Sequence, residues 1–133
     1  MKRVVVTGLG AFTPLGKNVQ DFWSALIKGE SGSDWITRFD TEKFKTRFAC
    51  EIKDYNPLDY FDRKEARKLD PYAQYALIAA QEAYLDAGLD TAEHDKDRAG
   101  VIWASGIGGL DTFTKELEGY LEGGRTPRFS PFF

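Results

Sequence analysis

The sequence is poor in the residues on which small sites are usually built. It has one cysteine, one histidine and one methionine in 133 residues. A lone cysteine cannot close an internal disulfide, which suits a reducing cytoplasm. One cysteine with one histidine also makes a zinc cluster implausible, because such clusters draw several ligands from these two residue types. No apolar run approaches the ~20 residues of a membrane span. The opening Met1-Lys2-Arg3-Val4-Val5-Val6 turns to Thr7-Gly8 too soon for a secretory core. Nor is there an excess of positive charge. With 18 Lys and Arg against 21 Asp and Glu the net charge is -3, so nothing draws the whole chain to nucleic acid or an anionic membrane. What is present, 42% hydrophobic and 29% charged residues, is the makeup of a soluble folded domain. The length fits one ordinary domain and excludes a large two-domain enzyme within this chain. The end is unusual: Phe129, Phe132 and Phe133 crowd it, where termini are ordinarily polar. Either this tail docks, or the chain stops before its natural end.

Residues 2–7 form a short β-branched run closed by Gly8, the pattern of a buried strand. Three glycines and Pro14 make 8–16 a loop. Asn18 then caps a helix whose apolar face is Val19, Phe22, Trp23, Leu26 and Ile27, with Gly29 as its stop. Phe48, Cys50 and Ile52 alternate with charged residues, predicting a strand with one wet face. Asp62 with Glu65 resembles a capping box for a helix over 63–68. Asp70-Pro71 starts the clearest helix and Gly88 ends it. Its Ala76, Ala79, Ala80, Ala83 and Ala87 predict close approach by neighbouring backbone. Residues 90–98 read as a charged loop. The run 99–104 is apolar on both faces, as in a central parallel strand. After the turn Gly106-Ile107-Gly108-Gly109, Leu110, Phe113, Leu117 and Leu121 mark one side of a last helix that Gly123-Gly124 ends. This alternation predicts an α/β layered fold. No repeat, low-complexity segment or obvious interdomain linker interrupts it.

Several motifs fail on chemistry. Gly8-Leu9-Gly10 follows a strand as a dinucleotide fingerprint would, but Thr13 occupies the third glycine position and Pro14 follows it. The helix starts only near Val19, so no helix N-terminus faces Gly8 to hold a pyrophosphate. Gly16-Lys17 lacks the magnesium-binding Ser or Thr of a P-loop, because Asn18 stands there. Cys50 lies on an apolar strand face and reads as packing. His94 sits in a charged loop, so no catalytic dyad emerges. More informative is the group Arg63, Lys64, Arg67 and Lys68. At 100° per residue these four share one helix face, a positive patch for an acidic or phosphate-bearing partner; an ordinary solvated face is the plain alternative. Too few aromatics interleave with these charges for nucleic acid. In the loop 105–109, at the carboxyl end of the expected central strand, Ile107 reads as an apolar plug or as a simple turn residue.

Three segments taken in order carry a resemblance: Arg3-Val4-Val5-Val6-Thr7-Gly8-Leu9-Gly10 with Thr13-Pro14-Leu15-Gly16, Ser105-Gly106-Ile107-Gly108-Gly109, and Ser130-Pro131-Phe132-Phe133. Together they resemble the 3-oxoacyl-[acyl-carrier-protein] synthases, nearest to the elongating synthase II type of bacterial fatty-acid synthesis. Phe39-Asp40, Arg63-Lys64-Glu65 with Arg67-Lys68, and Asp86-Ala87-Gly88-Leu89 are similar to the family at corresponding positions. The likeness covers the whole chain.

The resemblance implies the N-terminal portion of a thiolase-like α-β-α-β-α layered fold over 1–133, cytoplasmic and an obligate homodimer. It implies an acyltransferase performing decarboxylative condensation of an acyl thioester with malonyl-carrier protein. The family's catalytic cysteine and two histidines follow the S-P-F-F segment, so this chain is expected to stop before them and to be inactive alone. Neither Cys50 nor His94 matches those positions. Lys64, Arg67 and Lys68 resemble the basic face that receives acidic acyl carrier protein, and Arg128 part of a second contact. Ile107 resembles the residue gating the acyl pocket, and Phe133 a pocket residue given across the dimer interface. No cofactor, metal, nucleic acid or membrane partner is expected. The alternatives are a non-catalytic chain-length-factor-type partner of a ketosynthase and an independent binding domain.

Overall fold

A computed structural model describes residues 3–131. They divide into two compact units. One holds the chain up to Tyr55 together with Ile78–His94; the other holds Asn56–Leu77 and the chain from Asp95 onward.

In the first unit, helix α1 (Val19–Ile27) starts as its sequence predicts, the Asn18 side chain accepting from the Asp21 N–H at 2.8 Å. It ends at Gly29, where a left-handed φ of 70° lets the Glu30 N–H reach the Ala25 carbonyl at 3.1 Å. Strands β1 (Ser33–Trp35) and β2 (Phe48–Cys50) pair antiparallel, with Trp35 opposite Phe48 and Ser33 opposite Cys50. Polar contacts flank the ladder. Lys53 is ion-paired to Asp34, and the Thr37 N–H and hydroxyl donate to Glu51 at 3.0 and 2.8 Å. The hydrogen bond from Lys53 holds the Asp34 carboxyl below its ordinary pKa, and the hydroxyl of Thr37 does the same for Glu51. Folded-state values below the unfolded ones mean a contribution complete at neutral pH and lost as pH falls through the carboxylate range. A side-chain carboxyl NMR titration is expected to give midpoints for both residues below those of model peptides; ordinary midpoints would remove the contacts.

Three strand expectations need correction. β2 stops at Cys50, and both Phe48, 61% exposed, and Cys50 lie open instead of facing a core. A two-stranded ladder buries a face only when another layer covers it, and none does among the described residues. The runs 3–7 and 99–104 form no ladder, leaving Val4 91% and Ile102 99% exposed; Lys2 of the first run lies outside the described residues. Their β-branched pattern encodes burial in a sheet, but a strand also needs the N–H and C=O groups of a partner. No described residue supplies them. All three tryptophans, Trp23, Trp35 and Trp103, are more than half exposed.

Helix α3 (Pro71–Asp86) is the longest element. The expected close approach to its alanines occurs over its second half. Segment 8–11 runs along it as an antiparallel zipper. Gly8 lies against Ala83 and Ala87, and Gly10 against Ala79 and Ala83. The alternate N–H groups of Leu9 and Ala11 donate to the carboxylates of Asp86 and Glu82, each at 2.8 Å. The periods match: two extended residues span about 6.6 Å and one four-residue turn of helix about 6 Å. The other oxygen of Glu82 accepts the Val19 N–H at 2.8 Å, so the same carboxylate ties down the first turn of α1. His94, expected as surface decoration, rests edge-on against Tyr84.

The second unit contains helix α2 (Arg63–Ala66), the first turns of α3, and helix α4 (Leu110–Glu122). The charged stretch before α4 includes a short 3-10 turn at Lys96–Arg98. α4 ends on Gly124, with φ 68°, and the Arg125 N–H closes onto the Tyr120 carbonyl at 2.9 Å.

Candidate functional site

The positive face forms on α2. Asp62 starts the helix, one carboxylate oxygen accepting the N–H groups of Lys64 at 2.7 Å and Glu65 at 2.8 Å. α2 proper is shorter than the predicted 63–68, yet the Lys68 N–H still reaches the Glu65 carbonyl at 2.9 Å and carries the turn onward. Arg63, Lys64, Arg67 and Lys68 therefore line one concavity of about 500 Å³, with Glu65 outside it. Four like charges on one wall raise the local potential for an anionic partner in a chain that is acidic as a whole. Gln74 fixes this turn to α3. It is 3% exposed, and its amide nitrogen donates to the carbonyls of Ala66 and Leu69, both at 2.9 Å.

Ser130 also lines the basic concavity, a residue the sequence did not single out for this role. Its N–H donates to Glu116 on α4 at 2.9 Å. Two residues before it, Arg128 lines a separate hollow of about 410 Å³ with Lys115, Tyr120 and Phe129. The Tyr120 and Phe129 rings stack tilted, with centroids 5.6 Å apart. Arg128 thus lies apart from Arg63, Lys64, Arg67 and Lys68.

The glycine loop lies beside a third hollow of about 450 Å³, lined by Lys68, Asp70, Tyr72, Gly108, Thr112 and Phe113. Lys68 is common to this hollow and the basic one. Ile107 projects from the loop, 71% exposed. Gly108 sits on the Tyr72 ring so tightly that a Cβ there would lie 2.8 Å from it. Gly109, φ 74°, precedes α4 and offers no side-chain cap. Asp70 supplies one. One of its oxygens accepts the Tyr72 N–H at 3.3 Å at the start of α3, and the other accepts both the N–H and the hydroxyl of Thr112 at 2.8 Å. Sequence reading found the first of these roles only. The signal for the second was a helix beginning after glycine with no local cap. Phe133 and its neighbour Phe132 lie outside the described residues. Among the described residues no cluster of three or more potential metal-binding side chains occurs.

Residues 1–131 match the family model described as "Beta-ketoacyl synthase, N-terminal domain". The chain is 47% identical over 132 residues to 3-oxoacyl-[acyl-carrier-protein] synthase 2 of Staphylococcus aureus (strain COL), covering 99% of this chain and 32% of that protein. It is 44% identical over 133 residues to the protein of the same name from Coxiella burnetii, again covering 99% and 32%. Among solved structures, the ishigamide ketosynthase/chain length factor aligns with TM-score 0.74 at 31% identity, over 96% of this chain and 32% of that one. A beta-ketoacyl synthase from Burkholderia phymatum STM815 aligns with TM-score 0.73 at 29% identity, over 99% and 33%. The chain thus spans about a third of the length of the curated relatives it matches. Its fold class is α/β, the N-terminal portion of the thiolase-like fold of the ketosynthases. With the family model matching all but its last two residues, this chain belongs to the beta-ketoacyl synthase family and carries that family's N-terminal domain.

Proposed function

We propose that the full-length protein is an elongating 3-oxoacyl-[acyl-carrier-protein] synthase, with this chain contributing the carrier-protein dock and part of the acyl pocket. The observation that carries the reading is 47% identity over 99% of the chain to an enzyme of that name. The curated relatives are named as synthases, which disfavours the chain-length-factor alternative. In the reaction an acyl group passes to an enzyme cysteine. Malonyl-carrier protein then loses CO2, and the resulting carbanion attacks the acyl carbonyl and expels the thiolate. Cys50 and His94 have no part in this chemistry. The roles here are docking at Lys64, Arg67, Lys68 and Arg128, and hydrocarbon contact at Ile107 and Phe133. The family resemblance implies a second copy of the chain as partner; a monomeric mass for the full-length protein in solution would remove that reading. Such an enzyme works in the cytoplasm. No helix among the described residues is long and apolar enough to cross a membrane.

The test uses the full-length protein with acyl- and malonyl-carrier protein. Release of CO2 with formation of 3-oxoacyl-carrier protein is expected, and its absence overturns the function. Reversing Lys64, Arg67 and Lys68 to Glu together is expected to weaken carrier-protein binding on the order of 100-fold at low salt. The difference from the parent should shrink as salt rises. Equal affinity at low salt would remove the docking role while leaving the chemistry standing.

A further inference from the structure

We propose that Asp70 is the positioning residue for Ile107, so that its carboxylate sets which acyl-chain lengths the pocket accepts. The inference rests on the reading of Ile107 as a pocket residue. The loop around Ile107 is held from one side at two points. Gly108 is seated on the Tyr72 ring, and four residues later Thr112 is clasped by Asp70 through both its N–H and its hydroxyl. Both anchors belong to the start of α3, where Asp70 also accepts the Tyr72 N–H. Ile107 is therefore the exposed tip of a span pinned immediately after it.

The chemistry explains why Asp and not Asn stands at position 70. Both carboxylate oxygens are in use as acceptors, one for the Tyr72 N–H and one for Thr112. An amide keeps one acceptor and turns its NH2 toward the N–H left without a partner. No local residue can replace the clasp. A side chain that caps a helix does so from extended backbone, whereas Gly109 is left-handed and has no side chain. Loss of the Asp70 contact frees the first turn of α4 and, through Gly109 and Gly108, the placement of Ile107. The basic face connects to the same place. Lys68 lies two residues before Asp70 and lines the hollow shared by Asp70, Tyr72 and Gly108.

The experiment measures kcat and KM of the full-length enzyme with short, medium and long acyl-carrier proteins. The variants are Asp70→Asn, Thr112→Val, Thr112→Ser and, as a control for the pocket itself, Ile107→Ala. Asp70→Asn and Thr112→Val are each expected to shift the long-to-short ratio of kcat/KM about tenfold, the kinetic equivalent of one hydrogen bond to a charged group. Thr112→Ser keeps the hydroxyl and should retain the parent ratio. A role confined to stability would lower the amount of active enzyme equally for every chain length and leave the ratio alone. An unchanged ratio in Thr112→Val, with a changed one in Ile107→Ala, overturns the positioning role and leaves the pocket reading intact. An unchanged ratio in Ile107→Ala as well overturns the pocket reading, and the inference with it.

Discussion

Replacing Gly10 by alanine is expected to leave little or no folded protein. A Cβ at this position would lie 1.9 Å from the Ala79 carbonyl oxygen and 2.8 Å from the Ala83 nitrogen. Both are backbone atoms of α3, which cannot swing aside as the end of a side chain can. The segment must therefore lift off the helix, and lifting it breaks the hydrogen bonds from Leu9 to Asp86 and from Ala11 to Glu82. Overpacking costs about 1–3 kcal/mol, and each lost bond to a carboxylate costs about 1.5–3 kcal/mol more. The combined loss, of order 4 kcal/mol or above, is a large part of the ~5–15 kcal/mol that holds an ordinary domain together. Gly119→Ala is the control. Nothing lies within 4 Å of a Cβ there, and in a helix interior alanine is better than glycine by about 0.5–1 kcal/mol. Denaturant melts of the full-length variants decide the matter. A Gly10→Ala protein as stable as the parent would mean that the zipper does not hold the fold.

Glu82→Ala is expected to cost about 3 kcal/mol. Glu82 is a carboxylate that joins three pieces of chain: α3 carries it, one oxygen holds Ala11 in the glycine loop, and the other holds Val19 at the start of α1. Two hydrogen bonds to a charged group disappear together, at about 1.5–3 kcal/mol each. Part is regained where water reaches the freed N–H groups. Glu82→Gln keeps one acceptor oxygen and should lose about half as much. The midpoint of a urea melt gives the size of the loss. Hydrogen exchange gives its place, with faster exchange expected at Ala11 and Val19 and little change at the Thr112 amide of α4. Uniform protection across the chain would contradict the proposed grip.

These contacts also mark the boundary of what a sequence can be made to tell. The ends of α1, α3 and α4 were legible because their signals are local: Asn18 and Gly29, Asp70 with Pro71 and Gly88, and Gly123-Gly124 all lie within a few residues of the helix they bound. The basic face was legible for the same reason, since four residues in six share one helix face. The second partner of Asp70 lies 42 residues away and those of Glu82 lie 63 and 71 away. No periodicity encodes pairings at that distance. The alanines of α3 announced that some backbone would come close, but not that it would be Gly8 and Gly10. The runs at 3–7 and 99–104 carry the composition of sheet interiors, yet strand pairing belongs to two segments and cannot be read from one. Cys50 looked buried because alternation predicts which side chains share a face. It does not say whether anything covers that face.

The exposed tryptophans have a spectroscopic consequence. Trp23 lies on α1, Trp35 opposite Phe48 in the β1–β2 ladder, and Trp103 four residues before Ile107. Their indoles face solvent at three separate places in the sequence, so each emits at the long-wavelength end of the indole range and is open to collisional quenching. Any surface that settles over one of them shortens its emission wavelength and shields it from iodide. Single-tryptophan variants thereby turn the chain into its own set of reporters, and the one retaining Trp103 reads events beside the glycine loop without an added dye.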